Sequence, residues 1–221
     1  MTHVTLALKR IIGPVCLIWM LGTSVCYGNP ITITIDTSPL MGGAFSLAFD
    51  LIDGDAAVNN KVTIRNFQLG GGSLSGSPIL AGGAAGSLPG IATLHDSSFF
   101  NEFFQEFIPG SRLSFALDFT RNFAGGTPDS IAFFIIDNIT GLPIPTLDPL
   151  GTDAFLTLDL NPVSSLIGTF ASDPSRTSLI IAAPAVSAVP EPSTMTLFAT
   201  GCIGLFLAMR RTRLQGKTIQ G

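Results

Sequence analysis

Apolar and polar residues alternate along most of the middle of this chain. Ile31, Ile33 and Ile35 fall on one face of an extended segment, with Thr32, Thr34 and Asp36 on the other. That period of two is what a strand with one buried face requires. The pattern repeats in Ala44–Leu51, where Phe45, Leu47, Phe49 and Leu51 share a face, and in Val62–Leu69, Leu113–Phe119, Phe155–Leu160 and the shorter Leu179–Ile181. Ile131–Ile136 is apolar without a break and predicts a central strand buried on both faces. Turn-forming clusters separate these runs, at Asp53-Gly54-Asp55, Pro109-Gly110-Ser111, Gly125–Asp129 and Asp148–Gly151. Seven or more short strands punctuated in this way predict an all-β body over residues 29–181, an antiparallel β-sandwich of jelly-roll or lectin-like type.

Two stretches interrupt the alternation. Gly70–Gly90 holds eight glycines in 21 residues and predicts a long mobile loop. It is no phosphate cradle, because it lacks the Lys and Ser/Thr ending of a P-loop. Ser97–Phe107 carries Phe99, Phe100, Phe103, Phe104 and Phe107, a spacing compatible with a helical face. Phe103, Gln105 and Phe107 fit a strand equally well, so the reading here is a helical turn running into a strand. Rings in such number predict core rather than a ligand box, since each buries a large apolar area.

Both ends of the chain depart from this pattern. Lys9-Arg10, the apolar run from Ile11 to about Leu21 and the small residues that follow read as a signal peptide over residues 1–28. Its cleavage would follow Cys26 or Gly28; the alternative is an uncleaved anchor. Residues 182–188, Ala-Ala-Pro-Ala-Val-Ser-Ala, read as a short linker with nothing to pack. Ser193–Met209 contains 17 residues without a charge, enough for about 25 Å of helix, and predicts a single short transmembrane helix. Arg210, Arg211 and Arg213 follow it as a stop cluster, leaving 214–221 as a cytoplasmic tail. Basic residues flank each apolar run on the same expected side, so the positive-inside rule places the body across the membrane.

The C-terminal arrangement is also specific in its details. Val189-Pro190-Glu191-Pro192-Ser193-Thr194, the short apolar helix and the arginine cluster together resemble a PEP-CTERM sorting signal. Proline on both sides of Glu191 keeps the motif extended and presentable at a membrane surface. The resemblance implies an exported protein of a Gram-negative bacterium that makes exopolysaccharide. It also implies processing by an exosortase, an integral-membrane transpeptidase resembling cysteine proteases. The recognised residues would be Pro190, Glu191 and Pro192. The body is similar to small PEP-CTERM proteins as well, in Asp36-Thr37-Ser38-Pro39-Leu40, in Asp96–Phe103 and in the turn at 125–129. That likeness supplies no activity.

Composition sharpens the division of the chain. Only 12% of residues are charged and the whole chain carries −4, yet residues 29–189 hold 14 Asp or Glu against five Lys or Arg, a net of −9. An acidic body without a basic stripe excludes nucleic-acid binding. Cys16, Cys26 and Cys202 all lie in the terminal segments, as do the single Trp19 and Tyr27, so the body has no disulfide or thiolate metal site. Its one histidine, His95, stands beside Asp96, Ser97 and Ser98. Neighbours on an extended chain point in alternate directions, which argues for local hydrogen bonding rather than a catalytic triad. No cofactor is implied and no enzymatic residues are assigned.

Acidic groups supply the remaining candidates. Asp50, Asp53 and Asp55, with Asn59 nearby, offer hard oxygen ligands of the kind calcium takes. Turns favour Asp and Gly for backbone reasons alone. Glu102 and Glu106 form a second acidic pair, but a glycosidase needs two carboxylates converging beside a sugar cleft. The expected role is a non-enzymatic, surface-sorted structural or adhesive protein of the envelope or extracellular matrix. The Sec translocon, signal peptidase and exosortase are its expected processing partners. The alternative is a carbohydrate-binding or carbohydrate-active module acting on exopolysaccharide.

Overall fold

Alternating Ile, Phe and Leu residues have no stable place in water unless a second apolar face covers them. In the computed structural model, which describes residues 30–161, 163 and 166–188, two sheets supply those faces to each other. The strands, in chain order, are β1 (Ile31–Asp36), β2 (Phe45–Ile52), β3 (Lys61–Gln68), β4 (Ser73–Ala81), β5 (Gly83–Gly86), β6 (Ala92–His95) and β7 (Phe100–Ile108). They continue with β8 (Arg112–Phe119), β9 (Ser130–Asp137), β10 (Leu142–Pro143), β11 (Leu156–Asp159), β12 (Ile167–Thr169) and β13 (Ala185–Ala188). A 3₁₀ turn at Ser38–Leu40 is the one helical element among the described residues.

One sheet has the order β13-β1-β8-β3-β6-β5 and the other β12-β11-β9-β2-β7-β4, with β10 added beside β9. The pairing is nested. β1 lies against β8, β2 against β7 and β3 against β6, all antiparallel. The chain thus runs out along four strands and returns along the next four.

The inward faces of both sheets meet in one cluster. Phe49 of β2 sits edge-on to Phe115 of β8 at 5.1 Å between centroids, and Phe133 of β9 lies 4.8 Å from Phe49 and 5.2 Å from Phe115. Three rings from opposite sheets therefore touch. Offset and edge contacts of this kind add about 0.5–1.5 kcal/mol per pair beyond simple burial.

Five expectations require correction. Gly70–Gly90 is not a loop: it holds β4 and β5. Its glycines serve the corner between sheets, since Gly82 has φ +58° and a Cβ there would stand 2.5 Å from the Phe100 carbonyl oxygen. Ser97–Phe107 contains no helical turn; β7 takes the strand alternative, with Asn101, Phe103, Gln105 and Phe107 inward and Phe100 outward. The polar inward pair is satisfied. Asn101 Nδ2 donates to the carbonyls of Leu51 and Ser98, and Gln105 Nε2 donates to those of Ser75 and Gly76 where β4 is irregular against β7.

The remaining three corrections concern which segments are strands and which faces they bury. Leu179–Ile181 is not a strand, although Ile181 is buried and exchanges hydrogen bonds with Ser172. Within the expected linker, Ala185–Ala188 forms β13 beside β1, so strand structure extends past residue 181. Ile131–Ile136 does form a central strand, but it is buried on one face only: Ile131, Phe133 and Ile135 are enclosed while Ala132, Phe134 and Ile136 are half-covered.

Candidate functional site

The outward face of the second sheet is unusually apolar for a face turned to water. Ala132 and Phe134 of β9, Ile52 of β2 and Ile167 of β12, with Leu150 and Leu166 from the connections, line a groove of about 460 Å³. Asp50 of β2, Asp159 of β11 and the hydroxyls of Ser130, Thr152 and Thr157 stand among them. An apolar floor with a few convergent polar groups is the usual composition of a ligand site.

Asp50 is the electrostatic centre of this face. It pairs across the ladder with Glu102 of β7 on one side and with Ala132 on the other. Burial, and secondarily the neighbouring Glu102, pushes its carboxyl up to about 7. Burial raises Glu102 as well. Near neutrality, Asp50 therefore carries a proton part of the time and can donate as well as accept a hydrogen bond. One of its oxygens is enclosed with no hydrogen-bond partner.

The expected Asp50–Asp53–Asp55 constellation does not assemble. Asp50 lies within β2 and faces the groove, whereas Asp53 and Asp55 belong to the connection that follows. The residue that joins them is Asp129, from the turn before β9; one oxygen of each of these three carboxylates lies within 4.8 Å of the others. Asp129 Oδ1 accepts from the Gly54 amide at 2.8 Å and its Oδ2 accepts from Asn60 Nδ2 at 2.7 Å. At Asp55 burial opposes ionisation, but the amides of Ala124 and Ala57 and the Asn59 side chain hold the carboxyl below the ordinary range. Asp129 was missed in the sequence because 74 residues separate it from Asp55. The Gly125–Asp129 turn signal marked the place but not the contact.

His95 is exposed on β6, and Asp96 is buried and turned to the amides of Asn59 and Asn60. The two side chains do not form a triad with Ser97 or Ser98. Glu106 is exposed on the outward face of β7, near Ser46 and Ser75 across the ladders.

The expected signal peptide, the sorting residues Pro190, Glu191 and Pro192, the expected transmembrane helix and the arginines Arg210, Arg211 and Arg213 all lie outside the described residues. The comparison with known families reaches the C-terminal part of these. Residues 188–211 match the PEP-CTERM protein-sorting motif. The motif implies export, transient membrane anchoring and processing by an exosortase. No match was found among the curated proteins or the solved structures.

Proposed function

We propose, from the premise that this chain carries a PEP-CTERM protein-sorting motif at residues 188–211, that its body is a surface-sorted, non-enzymatic structural or adhesive domain of the envelope or extracellular matrix. The motif is the observation that carries the reading. An exosortase cuts or transfers the chain at the membrane, after the Sec translocon and signal peptidase have delivered it. The nested pairing of β1 with β8, β2 with β7 and β3 with β6 supports reading the sandwich as a jelly-roll, a scaffold often used for binding. His95 is exposed while Asp96 is buried and turned to the Asn59 and Asn60 amides, an arrangement that supports reading the body as lacking a His–Asp hydrolytic pair.

Sorting is tested by replacing Pro190, Glu191 and Pro192 with alanine and following the chain in its host. The expected result is accumulation of an unprocessed, membrane-held form. Release and processing like the parent would remove the sorting reading.

The groove supports a second reading, a module that binds exopolysaccharide. Phe134 offers a flat apolar surface, and Asp50, Asp159, Thr152 and Thr157 offer the hydrogen-bond partners that sugar hydroxyls use. Affinity electrophoresis against the host polysaccharide discriminates the two. Retention that Asp159→Ala weakens supports a sugar-binding module. Release of reducing ends that Asp50→Asn abolishes would make it carbohydrate-active, and free migration leaves the structural role.

A further inference from the structure

Three connections meet at one rim of the fold: the β2–β3 segment with Asp53 and Asp55, the β6–β7 corner with Asp96, and the β8–β9 segment ending at Asp129. A cluster of acidic turn residues is in itself no binding site. The informative group is Asp96. It is 1% exposed, and its side chain faces the Asp129 carboxylate, which is equally enclosed. Asp96 Oδ2 accepts from the amides of Asn59 at 2.9 Å and Asn60 at 2.6 Å. Its Oδ1 is sealed from water with no amide, amine or hydroxyl donor, and the carboxyl lies against that of Asp129, an oxygen-to-oxygen approach that only a shared proton or a cation can bridge.

The amide oxygen of Asn59 is in the same condition, beside Asp55, to which Asn59 Nδ2 donates. Buried acceptors are rarely left unmet, because each costs about 1–3 kcal/mol and a charged one more. Two stranded oxygens against three gathered carboxylates lack one thing, an electrophile. The donor set is wholly oxygen, with neither imidazole nor thiolate, which suits a hard cation.

We infer that Asp53, Asp55, Asp96 and Asp129, with the amide oxygen of Asn59, form a binding site for a hard divalent cation of the calcium class. The packing around Gly54 brings its parts together. A Cβ at Gly54 would stand 2.5 Å from the Pro128 carbonyl oxygen and 2.7 Å from that of Thr127, so the two acidic turns lie directly against each other. A bound cation would clasp the β2–β3 and β8–β9 connections and the β6–β7 corner at once. Asp50 has no part in it, and the site is independent of the groove and of sorting.

The test uses the full chain in mild detergent, with Ca²⁺ itself as the probe, by titration calorimetry and by thermal unfolding in Ca²⁺ or EDTA. The expected result is one Ca²⁺ per chain and a Tm several degrees higher in Ca²⁺ than in EDTA. Asp129→Asn is a poor deciding variant, because Asp129 also holds the Gly54 and Asp55 amides and the Asn60 side chain. Asp53 is only half-buried and its carboxylate holds one amide, that of Ala56. Asp53→Asn is therefore expected to bind Ca²⁺ at least tenfold more weakly while keeping the parent's Tm in EDTA. Three results would each overturn the proposal. They are no binding heat and no Tm change at millimolar Ca²⁺, undiminished binding in both Asp53→Asn and Asp55→Asn, or a rise in Tm on acidification to which Ca²⁺ adds nothing, which would put a proton where the cation is proposed.

Discussion

Asp50 and Glu102 face each other across β2 and β7, and both carboxyls are raised by burial, with Glu102 adding to Asp50. The consequence for stability has a definite sign. Below about pH 4 Asp50 is protonated in both folded and unfolded chains and costs nothing. As the pH rises towards 7 the unfolded chain ionises freely while the folded one resists, so stability falls across that window. A shift to about 7 corresponds to roughly 2–4 kcal/mol once partial solvent contact is allowed for. Asp50→Asn is expected to raise the denaturation midpoint at pH 7.5 and to leave it nearly unchanged at pH 4. Asp36, Asp153 and Asp173 have carboxyls lowered by hydrogen bonds and titrate in the opposite sense, so the parent–variant difference is the quantity to measure. Asn101 gives a second residue-scale expectation. Its side chain bonds the Leu51 and Ser98 carbonyls and the Gly83 and Ser98 amides inside the fold. Asn101→Leu strands these groups and should cost about 2–4 kcal/mol in urea unfolding. The sequence made the Asp53–Asp55 turn legible. It could not show Asp96 and Asp129 arriving beside it, because side-chain convergence across distant connections leaves no local period.

At the scale of elements, strands with strict alternation were legible and those built on small residues were not. β1, β2, β3, β8 and β11 follow directly from residues whose inward positions are Ile, Leu, Val or Phe. β5 escaped because it is built of Gly and Ala, and β4 because it is mostly exposed and its Leu74, Ile79 and Leu80 follow no period of two. Backbone bonding to β7 and β6, rather than side-chain burial, defines them. β7 was ambiguous because Phe occupies both of its faces, and the inward Asn and Gln obscured the period. Gly82 connects β4 of one sheet to β5 of the other with a positive φ, against the Phe100 carbonyl oxygen. Gly82→Ala is expected to lower stability by about 2 kcal/mol or more, through both the left-handed backbone and the clash. Thermal unfolding against Gly71→Ala separates the two causes, since a Cβ at Gly71 meets nothing within 4 Å although its φ is also positive.

For the molecule as a whole, the all-β class, two antiparallel sheets and a Phe-centred core were all legible, because a chain this poor in charge and rich in alternating Ile and Phe can hide its apolar faces only between sheets. Phe49 stands where the sheets meet, and Phe49→Ala should cost about 3–5 kcal/mol by urea denaturation. The groove was not legible, because it arises from the outward residues of β9, which the unbroken apolar run assigned to a second buried face. The address at the C-terminus was the most legible part of all, since it is read as a linear string and needs no fold to be recognised.

The nested order of the strands finally sets a timetable. Ile31 of β1 pairs with Leu117 of β8, and the other edge of β1 is lined by β13, the last strand before the sorting motif. A chain synthesised from its beginning leaves β1 without either partner until β8 and β13 have been made. Such distant pairings make for slow closure, with a bare Ile-rich strand waiting. The sheet is finished only when β13 arrives, immediately ahead of the segment that detains the chain at the membrane.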